Sequence, residues 1–251
     1  MQLKDPDSAI APVVGIAERY DPGLGAMHHH ARAQIMYAVS GSMTVLTSRG
    51  SWVLPPSRAL WLPANMRHAL KTSRAIELRT LYIDEGRIAL SPRKEPMVID
   101  VAPLLRELFL TMAAKPWDYG AGSANARLAR VVCDQLAESA QQPLYLPDPL
   151  DPRARRLATM LYENPRDRRP LAVLAPLAGA SVRTMDRLFM AETGMSVGMW
   201  VQQMRLMLAL EIIAAGSGIG DAAFDVGFEN PSSFIALFRK QFGVTPARYF
   251  R

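Results

Sequence analysis

Two rhythms of hydrophobic and polar residues divide the chain. From about residue 10 to residue 83 the apolar residues fall in short runs rich in Val, Ile, Tyr and Trp, at 35–39, 42–47, 52–54 and 78–83. Turn residues separate them, so the runs predict β-strands, and many short strands at close spacing predict an antiparallel barrel or jelly roll. The period then changes. Leu104, Leu105, Leu108 and Met112 recur at helical spacing, as do Leu128, Val131, Val132 and Leu136 in a segment from about residue 123 to 139. Both segments read as amphipathic helices. Such a stripe either packs on its own barrel or is shared with a second copy about a two-fold axis. The second alternative makes Leu128, Val131, Val132 and Leu136 a dimerisation surface.

Between residues 141 and 152 stand Pro143, Pro147, Pro149 and Pro152. Four prolines exclude a helix there and remove ladder donors, which predicts a linker. Every long periodic segment beyond it is helical. The expected organisation is a β-barrel over 1–90, connector helices and proline-rich linker over 91–150, and an all-α domain over 151–251.

The all-α part repeats itself at a shift of 49 residues: Leu188 and Phe189 fall on Leu237 and Phe238, Gly194 on Gly243, Ser196 on Thr245, and Trp200 on Tyr249. Ser181 falls on Asn230. Two copies are too few for a solenoid and predict two small units of helix, tight turn and helix. In the first, Ser181 is a suitable N-cap and Gly194 a C-terminal stop. Val182, Met185 and Phe189 are spaced toward a core, leaving Arg183, Thr184, Asp186 and Arg187 toward water. In the second, Asn230 caps a helix with Pro231 at its first position. Phe234, Leu237, Phe238 and Phe242 form its buried stripe, leaving Ser232, Ser233, Ala236, Arg239 and Lys240 outside. Trp200, Val201, Met204, Leu208 and Ile212 define one long amphipathic helix between the units, a rod able to set two recognition helices into successive major grooves about 34 Å apart.

Hydrophobic residues make up 49% and charged residues 21% of the chain, which fits a folded globular protein rather than a disordered one. The net charge of +6 suits a polyanion partner, and it is uneven: residues 150–251 hold 13 basic and 9 acidic groups against 16 and 14 before them. Cys133 is the single cysteine, so an intrachain disulfide and a cysteine-based zinc site are both excluded. The polar start and the lack of an apolar run near the roughly 20 residues of a membrane span point to the cytoplasm, with no membrane partner.

The runs at 179–194 (GASVRTMDRLFMAETG) and 226–246 (VGFENPSSFIALFRKQFGVTP) resemble the two halves of the AraC/XylS signature, the second being the more specific. The resemblance covers the last 100 or so residues and, more loosely, the first 85 as a cupin-type sensor domain. It implies a small-molecule-responsive transcription regulator. It also places base-reading positions on Arg183, Asp186 and Arg187, and on Pro231, Ser232, Ser233 and Ala236. Two residues depart from the pattern. Ala236 stands where many relatives carry an arginine, so the second helix is expected to read its groove through serine hydroxyls and shape. Pro176, inside the first short helix, is expected to kink or shorten its last turn.

All four histidines, His28, His29, His30 and His68, lie in the β domain. His28-x-His30 followed by Gln34 and Gly41 resembles the first cupin motif with Gln in place of Glu. Pro63-x-Asn65-x-x-His68 resembles the second with Asn in place of Gly. If 28, 30 and 34 share a strand they face one side and His29 the other. Three imidazoles and an amide oxygen from His28, His30, His68 and Gln34 suit Zn, Fe, Ni or Mn, or the same groups bind an effector directly without metal. Tyr37 and Trp61 are the aromatic candidates for an effector pocket; with Met36 and Trp52 nearby, they equally fit a barrel core.

Two function classes follow. One is a one-component regulator whose partners are operator DNA, a small effector, a second copy of itself and, for an activator, RNA polymerase. The other is a cupin metalloenzyme with a helical tail. No evident acid, base or nucleophile accompanies the histidines, and an enzyme leaves the repeat unexplained, so the expectation is a non-enzyme.

Overall fold

The computed structural model describes residues 5–48, 50–55, 58–88, 94–139, 141–142 and 145–250; residues 1–4 of the polar start and Pro143 of the proline-rich stretch lie outside them. In chain order the strands are β1 (Val13–Tyr20), β2 (Gly23–Leu24), β3 (Ala33–Ser40), β4 (Met43–Thr47), β5 (Gly50–Leu54), β6 (Arg58–Leu62), β7 (His68–Thr72), β8 (Ile76–Ile83), β9 (Met97–Asp100), β10 (Gln141–Gln142) and β11 (Tyr145–Pro147). The helices are α1 (Pro103–Ala113), α2 (Ala124–Glu138), α3 (Pro152–Glu163), α4 (Leu171–Leu177), α5 (Val182–Thr193), α6 (Val197–Ala214), α7 (Ile219–Asp225), α8 (Pro231–Phe242) and α9 (Pro246–Tyr249). They form two compact units, one of Met1–Ser48 and Leu54–Leu144, the other of Arg49–Val53 and Tyr145–Arg251.

In the first unit β1, β8, β3, β6, β9 and β10 make one antiparallel sheet in that order, and β4, β7 and β2 lie together in another. Successive side chains of β3 go to opposite faces. Ile35 and Tyr37 enter a core with Leu105, Phe109, Val132 and Leu136 of α1 and α2, while Gln34 and Met36 take the other face. Both faces are covered, which is why β3 reads as a nearly unbroken apolar run. The connector helices therefore pack on their own barrel. Val132 and Leu136 are fully buried there, whereas Leu128 is half-buried and Val131 is 42% exposed. This corrects the dimer stripe: two of its four residues are interior to a single chain.

In the second unit the proline-rich stretch is not a free linker. Tyr145–Pro147 pairs with β5, Trp52 stacks on Tyr145 at 4.6 Å, and Leu146 is buried with α3 and α5. The Trp200 Nε1–H donates to the Pro147 carbonyl at 2.7 Å, and the Glu192 carboxylate accepts from the Leu150 and Asp151 amides at 2.7 and 3.0 Å. The internal repeat is physical. Trp200 meets Phe189 edge-on at 5.4 Å, and at the equivalent positions Tyr249 meets Phe238 edge-on at 5.2 Å. Helix α6 differs from the expected single stripe. Met204, Leu206, Met207, Leu210 and Ile213 are all buried while Val201, Leu208 and Ile212 are only partly so, because α5 packs on one side and α7 on another. By length and composition α6 meets the requirement for a membrane span, contrary to the expectation that no run approaches one. Here its apolar surface is the shared core of two helix-turn-helix units.

Candidate DNA-binding surface and histidine centre

Each recognition helix begins on a side-chain cap. The Ser181 Oγ accepts from the Thr184 amide at 3.2 Å, and the Asn230 Oδ1 accepts from the Ser233 amide at 2.8 Å and the Ser233 hydroxyl at 3.0 Å. Each ends on a glycine in the left-handed region, Gly194 at φ 72° and Gly243 at φ 74°. The turns differ by one residue, 178–181 against 226–230, so the two short helices repeat at 48 and the recognition helices at 49. Pro176 does not shorten α4: α4 and α7 are both seven residues long.

Arg183 and Arg187 are exposed on α5, and Ser232, Ala236, Arg239 and Lys240 on α8, where an open groove of about 600 Å³ runs along Ser232, Ala236, Arg239 and Lys240. The four basic residues have no ion pair or hydrogen bond among the described residues, whereas nearby Arg166, Arg168 and Arg169 pair with Asp225, Glu229 and Asp167. Three of the positions expected outside have side chains engaged within the chain. Asp186 is half-buried and its carboxylate accepts from the Val197 amide at 3.4 Å, capping α6. The Ser233 hydroxyl is occupied by Asn230. Thr184 is half-buried, with its hydroxyl 3.0 Å from that of Ser181. Val182, expected toward the core, is 37% exposed. Phe242 and Leu237 are half-buried at the margin of the stripe around Phe234 and Phe238.

Within the second unit Arg205 on α6 ties the loop before α4 to the turn before α8, a role not apparent from the sequence. It donates to the carbonyls of Pro165 at 3.0 Å, Asp167 at 2.8 Å and Gly227 at 3.5 Å. Burial lowers its pKa. Gly227, at φ 92°, must be glycine here, since a Cβ would stand 2.5 Å from the Pro165 oxygen.

In the first unit, ligand atoms of His28, His30 and His68 lie within 4.8 Å of one another. The route differs from the expected strand: β3 starts at Ala33, and His28 reaches the cluster by an isolated bridge to His68. His30 is held by the turn at Asn65, whose amide donates to the His30 carbonyl at 2.7 Å. Asn65 has φ 63°, a left-handed conformation that Asn tolerates and that explains its place at a usual Gly position. The Nδ1 atoms of His28 and His68 lie 2.9 Å from the carbonyls of Ala26 and Met66, so each Nδ1 carries the proton and each Nε2 keeps a lone pair. Nε2 of His30, Nε2 of His68 and Oε1 of Gln34 are buried without a partner among the described residues. Burial pushes the pKa of His68 down to about 4 and lowers that of His30. Tyr82, absent from the sequence expectation, accepts from Gln34 Nε2 at 3.4 Å and meets the His30 ring edge-on at 4.9 Å. Burial drives its hydroxyl pKa well above the usual range.

Tyr37 and Trp61 are corrected. They are 2% and 0% exposed on the helix-facing side of the sheet, Tyr37 stacked on Phe109 at 5.5 Å, and belong to the core rather than to a pocket.

The description "AraC-like ligand binding domain" matches residues 11–137, and "helix-turn-helix domain" matches residues 174–251. The chain is 30% identical over 223 residues to the transcriptional regulator NimR of Escherichia coli, covering 89% of this chain and 81% of NimR. The chain belongs to the AraC family. This AraC-family protein is thus a transcription regulator, with a DNA-binding helical domain and an N-terminal ligand-binding domain. It is also 24% identical over 261 residues to the transcriptional activator RhaR of Pectobacterium atrosepticum, covering 94% of this chain and 89% of RhaR. Among solved structures it is similar to ToxT of Vibrio cholerae O395, at 12% identity, TM-score 0.41 and coverage of 95% of this chain and 97% of that one. The basic residues of α5 and α8 lie within residues 174–251, the part of the chain that the helix-turn-helix description covers.

Proposed function

We propose that the protein is a cytoplasmic one-component regulator in which α5 reads base edges, α8 mainly grips the phosphate backbone, and a small effector taken into the barrel modulates operator binding. The observation that carries this reading is the contrast between unpaired Arg183, Arg187, Arg239 and Lys240 and the ion-paired arginines of the α3–α4 loop. Two copies of the chain form a homodimer, with RNA polymerase as a further partner if the regulator activates. Leu128 and Val131 remain on the α2 surface for that contact. The effector is met on the face of β3 that carries Gln34 and Met36, beside Tyr82. Filter binding to the promoter region of the protein's own gene at rising salt tests the first step. Binding should be sequence-specific and fall steeply with salt; binding indifferent to sequence contradicts it.

We also propose that His28, His30 and His68 hold one divalent metal, Zn, Fe, Ni or Mn, with Gln34 in or beside its coordination sphere. Three buried acceptor atoms without partners among the described residues fit a cation, since polar atoms are rarely left unpaired inside a protein. The metal would supply a Lewis-acidic anchor for an effector oxygen or nitrogen. Elemental analysis of protein purified without a histidine tag should give about one metal per chain, lost in His68→Ala. Metal content that is substoichiometric and unchanged in that variant contradicts the reading.

A further inference from the structure

The three clustered imidazoles differ in what stands behind them. His28 and His68 each turn Nδ1 to a carbonyl two residues upstream. His30 turns Nδ1 to a carboxylate instead: Asp7 Oδ2 lies 4.0 Å away, brought there by the N-terminal segment. Asp7 sits in a short 3-10 turn, Pro6–Ser8, whose first amide is capped by Asp5. Its carboxylate accepts from the Ala31 amide at 2.9 Å, next to His30 in sequence. The following residue, Arg32, is 6% exposed and donates to the carbonyls of Ala11 at 2.8 Å and Ala9 at 2.5 Å. Residues 30–32 therefore hold the segment before β1 by side chain and backbone at once.

We propose that Asp7 is the outer-sphere positioning residue of the histidine centre, so that metal occupancy and docking of residues 5–11 are coupled. The inference rests on the metal reading above and deepens it. A metal on His30 Nε2 requires the other ring nitrogen to carry the proton, and a carboxylate facing that N–H fixes the tautomer and the ring orientation. A shift of about 1 Å closes the 4.0 Å separation to hydrogen-bond distance. Coupling is reciprocal, because whatever Asp7 adds to metal affinity the metal adds to the hold on Asp7 and its segment. The centre is then linked to chain outside the barrel strands, by which occupancy can be sensed at the surface.

Zinc is the probe, with the full-length chain. Competition against a chelator gives its Kd in the wild type, in Asp7→Asn, which keeps an acceptor for Ala31, and in His29→Ala, a neighbour outside the cluster. Asp7→Asn should weaken zinc by about 10- to 100-fold; His29→Ala should leave it unchanged. Hydrogen exchange of the Asp7, Ser8, Ala9 and Ile10 amides should slow on adding zinc to the wild type and not in Asp7→Asn or His68→Ala. If the wild type binds zinc and Asp7→Asn binds it equally well, or if saturating zinc leaves exchange over residues 5–11 unchanged, the coupling is wrong while the metal site stands. If the wild type takes up neither zinc nor nickel, iron or manganese, the metal site and the coupling fall together.

Discussion

At Cys133 burial decides the chemistry. The side chain is 2% exposed in the core of the first unit, and burial pushes its thiol up to about 12. The thiolate is the reactive form, so Cys133 should resist a thiol reagent in the native protein and label at the rate of unfolding. A thiol raised above its unfolded value stabilises fully below that value, near 9 for this group, and the contribution is lost as pH rises toward 12. Urea unfolding at pH 8 and 10 should accordingly show lower stability at the higher pH; rapid labelling at pH 8 would contradict the burial. Leu136, fully buried, should cost about 2–5 kcal/mol on replacement by Ala, whereas Val131→Ala, at an exposed site, should stay within about 0.5 kcal/mol. Residue types in the sequence announced the histidines but not which way the aromatics point. Tyr37 and Trp61 face the helices because strand register alternates by one residue, and nothing local fixes that register. Asp7 carries no local signal at all, since the chain fold alone brings it to His30.

Caps are the part of an element most visible in sequence, because their hydrogen bonds span three residues. Ser181, Asn230 and Gly194 occupy the expected places for that reason, and Gly243 follows Gly194 through the repeat. Asn230→Ala removes the acceptor for both Ser233 groups and should destabilise α8 by about 1 kcal/mol, measured by thermal unfolding of the full chain. The pattern of α6 misleads because a helix with two buried faces has no polar stripe to mark a single one. The same elements divide the work on DNA. Arg187 can make paired hydrogen bonds to guanine, worth roughly 1–3 kcal/mol of discrimination, while Lys240, further along α8, suits a phosphate. Arg187→Ala should relax base preference at one or two positions, and Lys240→Ala should weaken all sequences alike and flatten the salt slope by about one. Selection from a randomised operator library at two salt concentrations separates them; the reverse assignment follows if Lys240→Ala alters the preferred sequence.

For the whole molecule, α6 sets a length. Its 18 residues span about 27 Å, and Arg205 clamps the second turn to the loop before α4, so the two recognition helices cannot be drawn apart cheaply. Inserting about five base pairs, half a helical turn, between the two subsites of an operator should lower affinity at least about tenfold, with a full-turn insertion no better than partial rescue. Gel shifts of such spacer series test it, and unchanged affinity would mean that one unit binds alone. The repeat made this plan legible, since similar sequence at a fixed shift survives any uncertainty about single elements. The boundary did not show, because the helical unit recruits β5 from the first quarter of the chain, and pairing over such a separation leaves no trace in nearby residues. That recruitment also sets a delay during synthesis. At about 5–20 residues per second, the edge of β5 that receives β11 leaves the ribosome about 5–20 seconds before Tyr145 does. For that interval Trp52 lacks its stacking partner, and the newborn chain offers an open strand edge to its neighbours on the same messenger.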